Sequence, residues 1–356
     1  MLRFERKNII FTPIIVNQDP TMKIMILGAN GFIGRRILKR LAPKHQVMAC
    51  SLHQDIMPEE SYRFEVIDIL NYPALLGLLN NFQPDVIINA AAYSVVDYCE
   101  QHQEEAYAMN VAVVKHLADY SQANSCRLIH LSTDFVFDGT SPNAYTETDI
   151  PNPVNFYGKT KQWSEEVIEQ RCNNYAIVRV EVVYGKPLPK QHGNIVHLVK
   201  NRLENGQSIR VVSDQFRSPT WVEDIANGIE KLLSNQHQGI YHICGGETLS
   251  VADIAFRVAQ YFHLDSSLIE PITTEEMKEA TPRPVSTPMS VEKARKELDY
   301  RPSTLEEGFK EWIKKKAGSF CWEPTFYISC NSLFKSHLTK EFRTMELRLW
   351  QINRCP

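Results

Sequence analysis

Short runs of apolar residues recur along the first half of the chain. We predict strands at these runs, over 23–27, 46–51, 63–67, 85–90, 127–131 and 175–180. Between several of them apolar residues return every three or four positions, which predicts helices over 32–41, 72–81, 104–122 and 161–170. Strands that are almost entirely apolar are buried on both faces, and their alternation with helices is typical of a parallel sheet. The pattern predicts an α/β fold with a doubly wound parallel sheet of the Rossmann type.

A glycine-rich loop joins the first predicted strand to the first predicted helix. It reads Gly28-Ala29-Asn30-Gly31-Phe32-Ile33-Gly34. In this position backbone N–H groups and the positive end of a helix can hold a pyrophosphate. Glycines allow the tight turn, the close approach of the ligand and the packing of helix on strand. We therefore predict that the loop binds a dinucleotide. The predicted cofactor-binding residues of the loop are Gly28, Asn30, Gly31, Phe32, Ile33 and Gly34.

The regular alternation of predicted strands and helices ends after Gly185. Helices predicted over 194–204, from 222 and over 251–262 are separated by short strands at 208–212 and 239–244. Prolines become frequent beyond this point. We predict a dinucleotide-binding domain over 22–185 and a smaller C-terminal α/β substrate lobe over 186–317. Within that lobe, residues 222–262 are expected to return partly to the nucleotide domain.

The two ends of the chain lack this organisation. Residues 1–21 carry basic residues ahead of a short apolar stretch that Pro13 interrupts, without a small-residue cleavage site, which argues against a signal peptide. We predict that this leader is disordered or not native. Residues 318–356 show no clean helical or strand period. We assign no chemistry to this atypical tail.

Composition and charge exclude several classes of function. Of the 356 residues, 43% are hydrophobic and 23% are charged, as in an ordinary globular protein. The net charge of −3 gives no electrostatic case for a nucleic acid or a membrane surface as partner. No apolar run approaches the ~20 residues that cross a bilayer. The eight cysteines lack metal-binding spacing, so we expect free thiols, no metal site and a cytoplasmic protein.

Tyr157 and Lys161 are the main candidates for catalysis. Because they are four residues apart, a helix that contains both would place their side chains on one face, one turn apart. There the lysine ammonium would favour the tyrosinate and lower the tyrosine pKa from about 10 toward working pH. Such a tyrosine can give a proton to a carbonyl oxygen or take one from an alcohol. The pattern is common by itself, and the glycine loop upstream makes it informative.

The choice between NADPH and NADH depends on the end of the second strand. An acid there would bind the ribose 2′-hydroxyl of NAD, but the chain reads Ala49-Cys50-Ser51-Leu52-His53. Ser51, His53, Arg35 or Arg36 could accommodate a 2′-phosphate. For either arginine taken singly, a solvated helix residue is the simpler interpretation. We favour NADPH and keep NADH as the alternative.

The third predicted strand ends beside a candidate contact for the adenine. Asp68 and its neighbour Ile69 follow that strand, where the base of a dinucleotide would lie. Asp68 could equally cap the helix that begins near Asn71. We retain Asp68 and Ile69 as cofactor-binding residues with this alternative open.

The ends of the fourth and fifth predicted strands carry further candidates. Ala90, Ala91 and Ala92 are small residues that let the backbone lie beside a cofactor, although small residues also serve packing alone. Thr133 could hydrogen-bond the reacting carbonyl and stabilise developing negative charge. As an isolated threonine it could instead be a turn or cap residue.

Together these residues resemble the extended short-chain dehydrogenase/reductases and, within them, the dTDP-4-dehydrorhamnose reductase family. The motifs that carry the resemblance span residues 22–316 in family order. They are the glycine loop, Asn89-Ala90-Ala91-Ala92-Tyr93, Asp97, Asn110, Ser132-Thr133-Asp134 with Val136-Phe137-Asp138-Gly139, Tyr157-Gly158-Lys159-Thr160-Lys161, Arg179, Asp214-Gln215-Phe216-Arg217-Ser218-Pro219-Thr220 and Arg283-Pro284.

The resemblance implies a role for several of these residues. Thr133, Tyr157 and Lys161 would form a catalytic trio. Hydride would pass from the nicotinamide to C4 of a 4-keto sugar while Tyr157 protonates the new alkoxide. Lys161 would also hold the ribose hydroxyls. Asn110 would support the helix that carries the relay, and we include it with the cofactor-binding residues.

The candidate substrate-binding residues are Phe135, Val182 and Arg217. The role of Arg217 stays open, because Pro219-Thr220 is the stronger candidate for shaping the pocket wall. The family usually has tyrosine at the first of the three candidate positions, tryptophan at the second and often glycine at the third, and the carboxylate of Glu181 enters nearby. Losing a stacking ring or a hydrogen-bond donor changes discrimination between ligands by on the order of 1–3 kcal/mol. The chemistry is therefore predicted more firmly than the sugar.

The sequence predicts an NAD(P)H-dependent reductase of a nucleotide-linked 4-keto deoxy sugar, with dTDP-4-dehydrorhamnose to dTDP-rhamnose as the first choice. One alternative is a non-catalytic dinucleotide-binding subunit that resembles the regulatory subunit of methionine adenosyltransferase. Another is a sugar-nucleotide epimerase. Retention of Thr133, Tyr157 and Lys161 favours catalysis. The expected partners are a nucleotide-sugar substrate and a second copy in a homodimer.

Overall fold

The structure is a computed structural model that describes residues 21–317 apart from 190, 192 and 236. The predictions for the leader before residue 21 and for the tail lie outside the described residues. The strands are β1 Lys23–Leu27, β2 Gln46–Ser51, β3 Arg63–Val66, β4 Val86–Asn89, β5 Arg127–Thr133, β6 Tyr175–Val180, β7 Val183–Tyr184, β8 Ile209–Val212, β9 Phe216–Arg217, β10 Thr220–Trp221, β11 Gly239–His242, β12 Leu249–Ser250 and β13 Ile269–Ile272. The helices are α1 Phe32–Leu41, α2 Tyr72–Phe82, α3 Val96–Gln101, α4 Gln103–Tyr107, α5 Val113–Ala123, α6 Phe156–Arg171, α7 Ile195–Glu204, α8 Val222–Asn235, α9 Val251–Phe262, α10 Thr274–Met277, α11 Glu292–Leu298 and α12 Leu305–Ala317.

Seven strands form one parallel sheet in the order β3-β2-β1-β4-β5-β6-β11. The chain builds the sheet outward from β1 to β3 and then crosses back to β4 on the other side of β1. This arrangement confirms the predicted doubly wound fold. In such sheets ligands bind beyond the carboxyl ends of the strands where the order reverses, here between β1 and β4.

Both faces of the sheet are covered because its strands are apolar on both sides. Ile24 and Ile26 point into one core, which includes residues of α1, α8 and α11. Met25 and Leu27 point into the opposite core, with residues of α2, α5 and α6. Alternate residues of one strand thus serve two hydrophobic cores, as the period of a strand requires. None of the helices in the described part of the chain is long and apolar enough to cross a membrane.

A third hydrophobic core lies in the C-terminal half. It gathers residues of α7, α9 and α12 around β8 and β13, which pair in parallel. The elements of residues 222–262 pack in two places. Strand β11 joins the main sheet beside β6, and α8 packs on α1. The last helix of this range, α9, packs instead against α7.

Two helical regions differ from the sequence prediction. The helix expected over 104–122 is interrupted by a π-helical turn, Ala108–Ala112, in which Asn110 is buried. Helix α6 begins at Phe156 instead of 161, because the Asn155 side chain accepts a hydrogen bond from the N–H of Gly158 and caps the helix there. Tyr157 therefore lies in the first turn of α6 and not before it.

Candidate active site

The carboxyl ends of β1, β4, β5 and β6 border a cleft of about 580 Å³. This is the edge of the sheet at which the strand order predicts a ligand. Of the predicted site residues, the cleft lining brings together Asn30, Gly31, Phe32, Ile33, Ala90, Ala91, Ala92, Thr133, Phe135, Tyr157, Lys161 and Val182. The others, which lie outside that lining, are Gly28, Gly34, Ser51, Asp68, Ile69, Asn110 and Arg217.

The glycine loop lies against the end of β4 with no room for a side chain. Gly28 has a φ of +79°, and a Cβ at this position would be 2.8 Å from the backbone of Ala90 and Ala91. The N–H groups of Gly28 and Ala29 both donate to the carbonyl oxygen of Cys50 at 3.0 Å. No side chain of the described residues caps the start of α1. The first N–H groups of that helix are thus free of side-chain caps, and this fits the pyrophosphate of a dinucleotide.

Asn30 fixes the segment that follows β2. Its side-chain amide donates to the carbonyl oxygens of His53 at 3.0 Å and Gln54 at 2.9 Å, and its oxygen accepts from the N–H of Ile56. The Asn30 side chain therefore joins the glycine loop to the segment that follows β2. At this strand end Ser51 is half-buried and His53 is exposed.

The sequence left two roles open for Arg35 and Arg36, a solvated helix residue or a contact to the 2′-phosphate, and the structure supports neither. Both are buried, with 3% and 7% of their surface exposed. Arg35 pairs with Asp55 at 2.8 Å and stacks over a tyrosine ring, while Arg36 donates to the carbonyl of Lys186 at 2.6 Å. They are neither solvated residues nor groups free for a 2′-phosphate, so Ser51 and His53 remain the candidates for that role.

The structure corrects the alternative role of Asp68 as a helix cap. The side chain of Asn71 caps α2 by accepting a hydrogen bond from the N–H of Ala74 at 3.3 Å. Asp68 accepts instead from the N–H of Leu70 at 2.9 Å and is exposed beyond β3. Its neighbour Ile69 is buried beneath it. The adenine contact stays a prediction.

Tyr157 and Lys161 both face the cleft from α6. The helix approaches the end of β5 closely, because a Cβ on Gly158 would be 2.2 Å from the carbonyl oxygen of Phe135. Lys161 is 1% exposed, and its Nζ donates to the carbonyl oxygen of Leu131 at 2.7 Å. Tyr157 is partly buried at the cleft surface.

The predicted lowering of the tyrosine pKa is wrong for this structure. Burial raises the pKa of Tyr157, and a hydrogen bond with Thr133 opposes that rise only in part. Burial lowers the pKa of Lys161 to about 8, against the opposing charge of Glu165. Burial sets the direction of the shift, and Lys161 is not among the groups that shift the pKa of Tyr157. Tyr157 is consequently a neutral acid at neutral pH, which is the form that donates a proton.

A buried histidine that the sequence analysis missed lies beside Lys161. His130 Nε2 is 2.9 Å from Lys161 Nζ and 3.1 Å from the hydroxyl oxygen of Ser164. Its Nδ1 is 3.1 Å from the side-chain nitrogen of Asn89, the residue opposite His130 in the β4–β5 register. Burial, followed by the charge of Lys161, lowers the pKa of His130 well below its ordinary value. The available signal was a histidine between the apolar residues Ile129 and Leu131 of β5.

Thr133 ends β5 and begins a short 3-10 turn. Its hydroxyl oxygen accepts from the N–H of Phe135 at 3.3 Å and donates to Asp134 Oδ1 at 3.0 Å. Thr133 is thus the cap residue that one interpretation expected, and it also lines the cleft with a hydroxyl close to Tyr157. A role as a cap residue is therefore compatible with a hydrogen bond from Thr133 to a reacting carbonyl.

Arg217, the candidate substrate-binding residue whose role the sequence left open, lies outside the cleft lining. Arg217 is 3% exposed, and its N–H groups donate to the backbone carbonyl oxygens of Phe216, Pro284 and Val285. Its guanidinium lies 5.8 Å from the ring centre of Phe135, which does line the cleft. Arg217 therefore supports the wall behind Phe135, whose ring meets that of Tyr157 edge-on at 6.0 Å.

Val182 forms part of the opposite wall in an unusual backbone conformation. Its φ is +33°, although branched residues rarely adopt the left-handed region. Hydrogen bonds hold the segment on both sides of it: the N–H of Thr220 donates to the Val182 carbonyl at 3.1 Å, and the Thr220 hydroxyl donates to the Glu181 carbonyl. The side chain of Glu181 is 1% exposed and lies behind the wall, so it does not enter the cleft.

Two further polar residues position the site. Asn110, in the π-helical turn, accepts from the N–H of Tyr93, donates to its carbonyl, each at 2.9 Å, and donates to the hydroxyl of Thr160 at 3.0 Å. It therefore fastens α6 to the segment after β4, outside the cleft lining. Gln191 lines the cleft and donates to the carbonyl oxygens of Asn30 and Gly31 at 3.0 and 3.1 Å. A single glutamine in an irregular segment gave no sequence signal.

A buried ion pair lies under the cleft. Arg179 donates to Glu165 through Nε at 3.0 Å and through Nη2 at 2.6 Å, and both side chains are almost fully buried. The hydroxyl of Ser132, opposite Arg179 in the β5–β6 register, donates to the same carboxylate. Glu165 follows Lys161 by one turn of α6. The pair therefore anchors the catalytic face of α6 to the sheet.

Comparison with known proteins is consistent with this geometry. Residues 22–317 match the family model described as the RmlD substrate binding domain. The chain is 34% identical over 307 residues to methionine adenosyltransferase 2 subunit beta of Xenopus laevis, which covers 83% of this chain and 90% of that protein. It is 30% identical over 301 residues to dTDP-4-dehydrorhamnose reductase of Aggregatibacter actinomycetemcomitans, which covers 81% of this chain and 97% of that protein.

The chain also resembles a solved structure of a dTDP-4-dehydrorhamnose reductase. The crystal structure of dTDP-4-dehydrorhamnose reductase from Bacillus anthracis in complex with NADP matches with a TM-score of 0.75 and 28% identity, over 83% of this chain and 100% of that one. The match of the family model covers most of the chain. The chain therefore belongs to the RmlD family, the family of dTDP-4-dehydrorhamnose reductase.

Proposed function

We propose that this chain reduces the 4-keto group of a nucleotide-linked deoxy sugar with NADPH, and that dTDP-4-dehydrorhamnose is its substrate. Membership of the family makes the chain an NAD(P)H-dependent oxidoreductase of the sugar-nucleotide class. The finer statement, which names the sugar, rests on the chemistry of the cleft.

One observation carries the proposal: a neutral phenol, a hydroxyl and a lysine converge in the cleft that the glycine loop borders. NADPH supplies the hydride when it is bound. Tyr157, kept protonated by burial, gives its proton to the oxygen on C4 as negative charge develops there. Thr133 offers a hydroxyl to the same oxygen, and Lys161 supplies positive charge close by.

The residues around the loop fit a dinucleotide. The backbone contact between Gly28 and Ala90 excludes any side chain from the turn, and the start of α1 has no side-chain cap in the described residues. Ala91 and Ala92 would let the backbone lie against the nicotinamide side. Ser51 and His53 would face the 2′-phosphate, without a free carboxylate at the end of β2 to repel it, which favours NADPH over NADH.

The test is oxidation of NADPH and NADH, followed by absorbance, with dTDP-4-dehydrorhamnose as substrate. Tyr157→Phe should lower kcat by at least about 100-fold while the dissociation constant for NADPH stays within about twofold, because only the proton donor is removed. Tyr107→Phe, at an exposed position of α4, is the matched control and should retain activity. Full turnover by Tyr157→Phe would refute the assigned role of the tyrosine.

A second function has specific support from the similarity to methionine adenosyltransferase 2 subunit beta. Phe135 and Val182 stand where the resemblance led us to expect a tyrosine and a tryptophan, as a repurposed pocket would allow. In this role the chain would bind the dinucleotide and a catalytic partner without turnover. Bound NADPH without oxidation, across a panel of 4-keto sugar nucleotides, would favour this role. The homodimer and the cytoplasmic location stay predictions.

A further inference from the structure

The backbone around Tyr157 is held by side chains on both sides of that residue. The N–H of Phe156 donates to Oε2 of Glu100 at 2.9 Å, and the N–H of Gly158 donates to Oδ1 of Asn155 at 2.9 Å. The first N–H groups of a helix have no partner within the helix itself. Two side chains from outside the helical turns therefore fix the part of α6 that carries the phenol.

Asn155 does more than cap the helix. Its amide nitrogen donates to the carbonyl oxygen of Pro282 at 3.0 Å, and the two residues are 127 positions apart in the chain. The side chain is 2% exposed, and both ends of its amide have a partner. An asparagine amide carries an acceptor and a donor, so one side chain can join two segments of backbone. Asn155 joins the first turn of α6 to the segment around Pro282.

The segment around Pro282 is fixed by contacts of its own. Nη2 of Arg283 is 3.0 Å from Oδ1 of Asp97 in α3. The carbonyl oxygen of Pro284 accepts from Arg217, which is almost fully buried. These contacts hold the Pro282 carbonyl in place, so it is a fixed point for the amide that binds it.

Helix α3 is anchored independently of this segment. Val96 and Cys99 are buried beneath it, while the side chain of Asp97 is 43% exposed. Loss of the ion pair between Asp97 and Arg283 is therefore expected to release the segment and to leave the helix in place. The remaining contact from the segment to the first turn of α6 is the one that Asn155 makes.

The first turn of α6 packs tightly against the turn after β5. A Cβ on Gly158 would be 2.2 Å from the carbonyl oxygen of Phe135 and 2.8 Å from the Cβ of Pro153. Thr133 lines the cleft from the start of that turn, and Tyr157 lines it from α6. A small displacement of the first turn of α6 therefore changes the position of the phenol relative to the Thr133 hydroxyl.

We propose that Asn155 is a positioning residue for the reaction at Tyr157: it ties the first turn of α6 to the segment around Pro282 and thereby fixes where the phenol lies in the cleft. Asn155 is outside the cleft lining, so it acts through Tyr157 and not on a ligand. Misplacement of a reacting group by about 1 Å can lower a rate by about 100-fold. The effect on the rate rests on the proposed reductase function, whereas the link between the segment and the phenol does not.

The first measurement follows the ring of Tyr157 by NMR, with isotope-labelled tyrosine and with NADP bound, and needs no turnover. The signal is identified by its absence in Tyr157→Phe. Arg283→Gln, which changes no residue of α6, should shift this signal. The same change added to Asn155→Ser should not shift it further, because serine still caps a helix but lacks the amide that reaches Pro282. A signal that Arg283→Gln shifts equally in both backgrounds, or in neither, would overturn the link.

Two control variants separate the link from ordinary effects of substitution. Asn194 makes the same two kinds of bond as Asn155, since it accepts from a backbone N–H at 3.1 Å and donates to a backbone carbonyl oxygen at 2.7 Å. It caps α7, so Asn194→Ser should leave the Tyr157 signal unchanged. Arg301→Gln, at an exposed ion pair, should also leave it unchanged. A shift in either control as large as that in Arg283→Gln would overturn the link.

The second measurement is kcat and KM for the same variants. Asn155→Ser should lower kcat by about tenfold at unchanged KM and unchanged NADPH affinity, since the phenol is displaced and no binding surface is altered. Arg283→Gln should lower kcat by about fivefold, and the double variant should be no slower than Asn155→Ser. Effects that multiply in the double variant would overturn the positioning role. A chain that turns over none of a panel of 4-keto sugar nucleotides would overturn the effect on the rate with the proposed function, while the NMR signal would still decide the link.

Discussion

The Nζ of Lys161 lies 2.9 Å from the Nε2 of His130, deep beneath the cleft. The Asn89 side-chain oxygen accepts from the N–H of Ala91, so its amide nitrogen donates to the other ring nitrogen of His130. The hydrogen of the neutral ring is therefore on Nε2 and points toward Lys161 and the Ser164 hydroxyl. A histidine in this state cannot accept a hydrogen bond from the ammonium. Lys161 is held in a site where its neutral form is also well accommodated.

The first prediction concerns the pH dependence of stability. Burial lowers the pKa of Lys161 from 10.5 to about 8. Between these pH values the unfolded chain binds a proton that the folded chain does not, so the free energy of unfolding contributed by this group rises with pH. The difference between wild type and Lys161→Met should therefore change by about 3 kcal/mol in favour of wild type from pH 7 to pH 10.5.

Urea unfolding across this pH range measures that difference. Lys159→Met removes an exposed lysine of the same helix and shows what the loss of a lysine alone does. A constant difference between wild type and Lys161→Met over the whole range would contradict the lowered pKa.

The second prediction concerns the ion pair of Arg179 and Glu165. Arg179→Met leaves a buried carboxylate without its partner, and this should lower the free energy of unfolding by about 3–5 kcal/mol. Adding Glu165→Gln should recover part of the loss. The control is Arg171→Met, whose pair with Asp119 is exposed and should contribute less than about 1 kcal/mol. Equal losses in the two arginine variants by urea unfolding would show that burial of the pair is unimportant.

The third prediction separates backbone strain from contact in the glycine loop. Gly28 and Gly206 both have positive φ, but only Gly28 meets other atoms where a Cβ would lie. Gly206→Ala should cost about 1 kcal/mol of stability and leave NADPH binding intact. Gly28→Ala should cost more and weaken NADPH binding by at least about tenfold, because Ala90 must move. Isothermal titration and urea unfolding of both variants measure the two effects, and equal results would argue against the close approach.

The fourth prediction concerns the choice of cofactor. Ser51→Asp places a carboxylate at the end of β2, where it repels a 2′-phosphate and can accept from a 2′-hydroxyl. The ratio of the dissociation constants for NADPH and NADH should rise by about tenfold, which is about 1.4 kcal/mol. Ser61→Asp, at an exposed turn before β3, introduces the same charge away from this edge. A fluorescence titration in which both variants shift equally would rule out a local effect.

The sequence was sufficient where short-range pattern decides structure. The bounds of β1, α1 and α9 agree with the apolar pattern because buried strands and amphipathic helices express their period locally. The alternation of strands and helices predicted the doubly wound parallel sheet, while the order of its strands came from the structure. Tyr157, Lys161 and Thr133 also line one cleft, and the resemblance to the family had implied that these three residues act together.

The sequence was insufficient where a partner comes from far along the chain. Arg35 finds Asp55 twenty residues away, and Arg217 finds carbonyl oxygens of residues that follow it by almost seventy positions. No local pattern encodes these partners. The prediction for the pKa of Tyr157 failed for the same reason. The spacing shows a neighbouring lysine, but burial is a property of the whole fold.

The backbone of Val182 has a consequence for how the cleft discriminates among ligands. Residues in sparsely populated conformations store about 1–3 kcal/mol and persist only where their surroundings hold them, as Thr220 does here on both sides of the peptide. A wall whose backbone is held in one conformation cannot adapt to a ligand of a different shape. We therefore expect this wall to exclude ligands that do not fit it, and we expect Val182→Gly to widen the range of ligands that the cleft accepts.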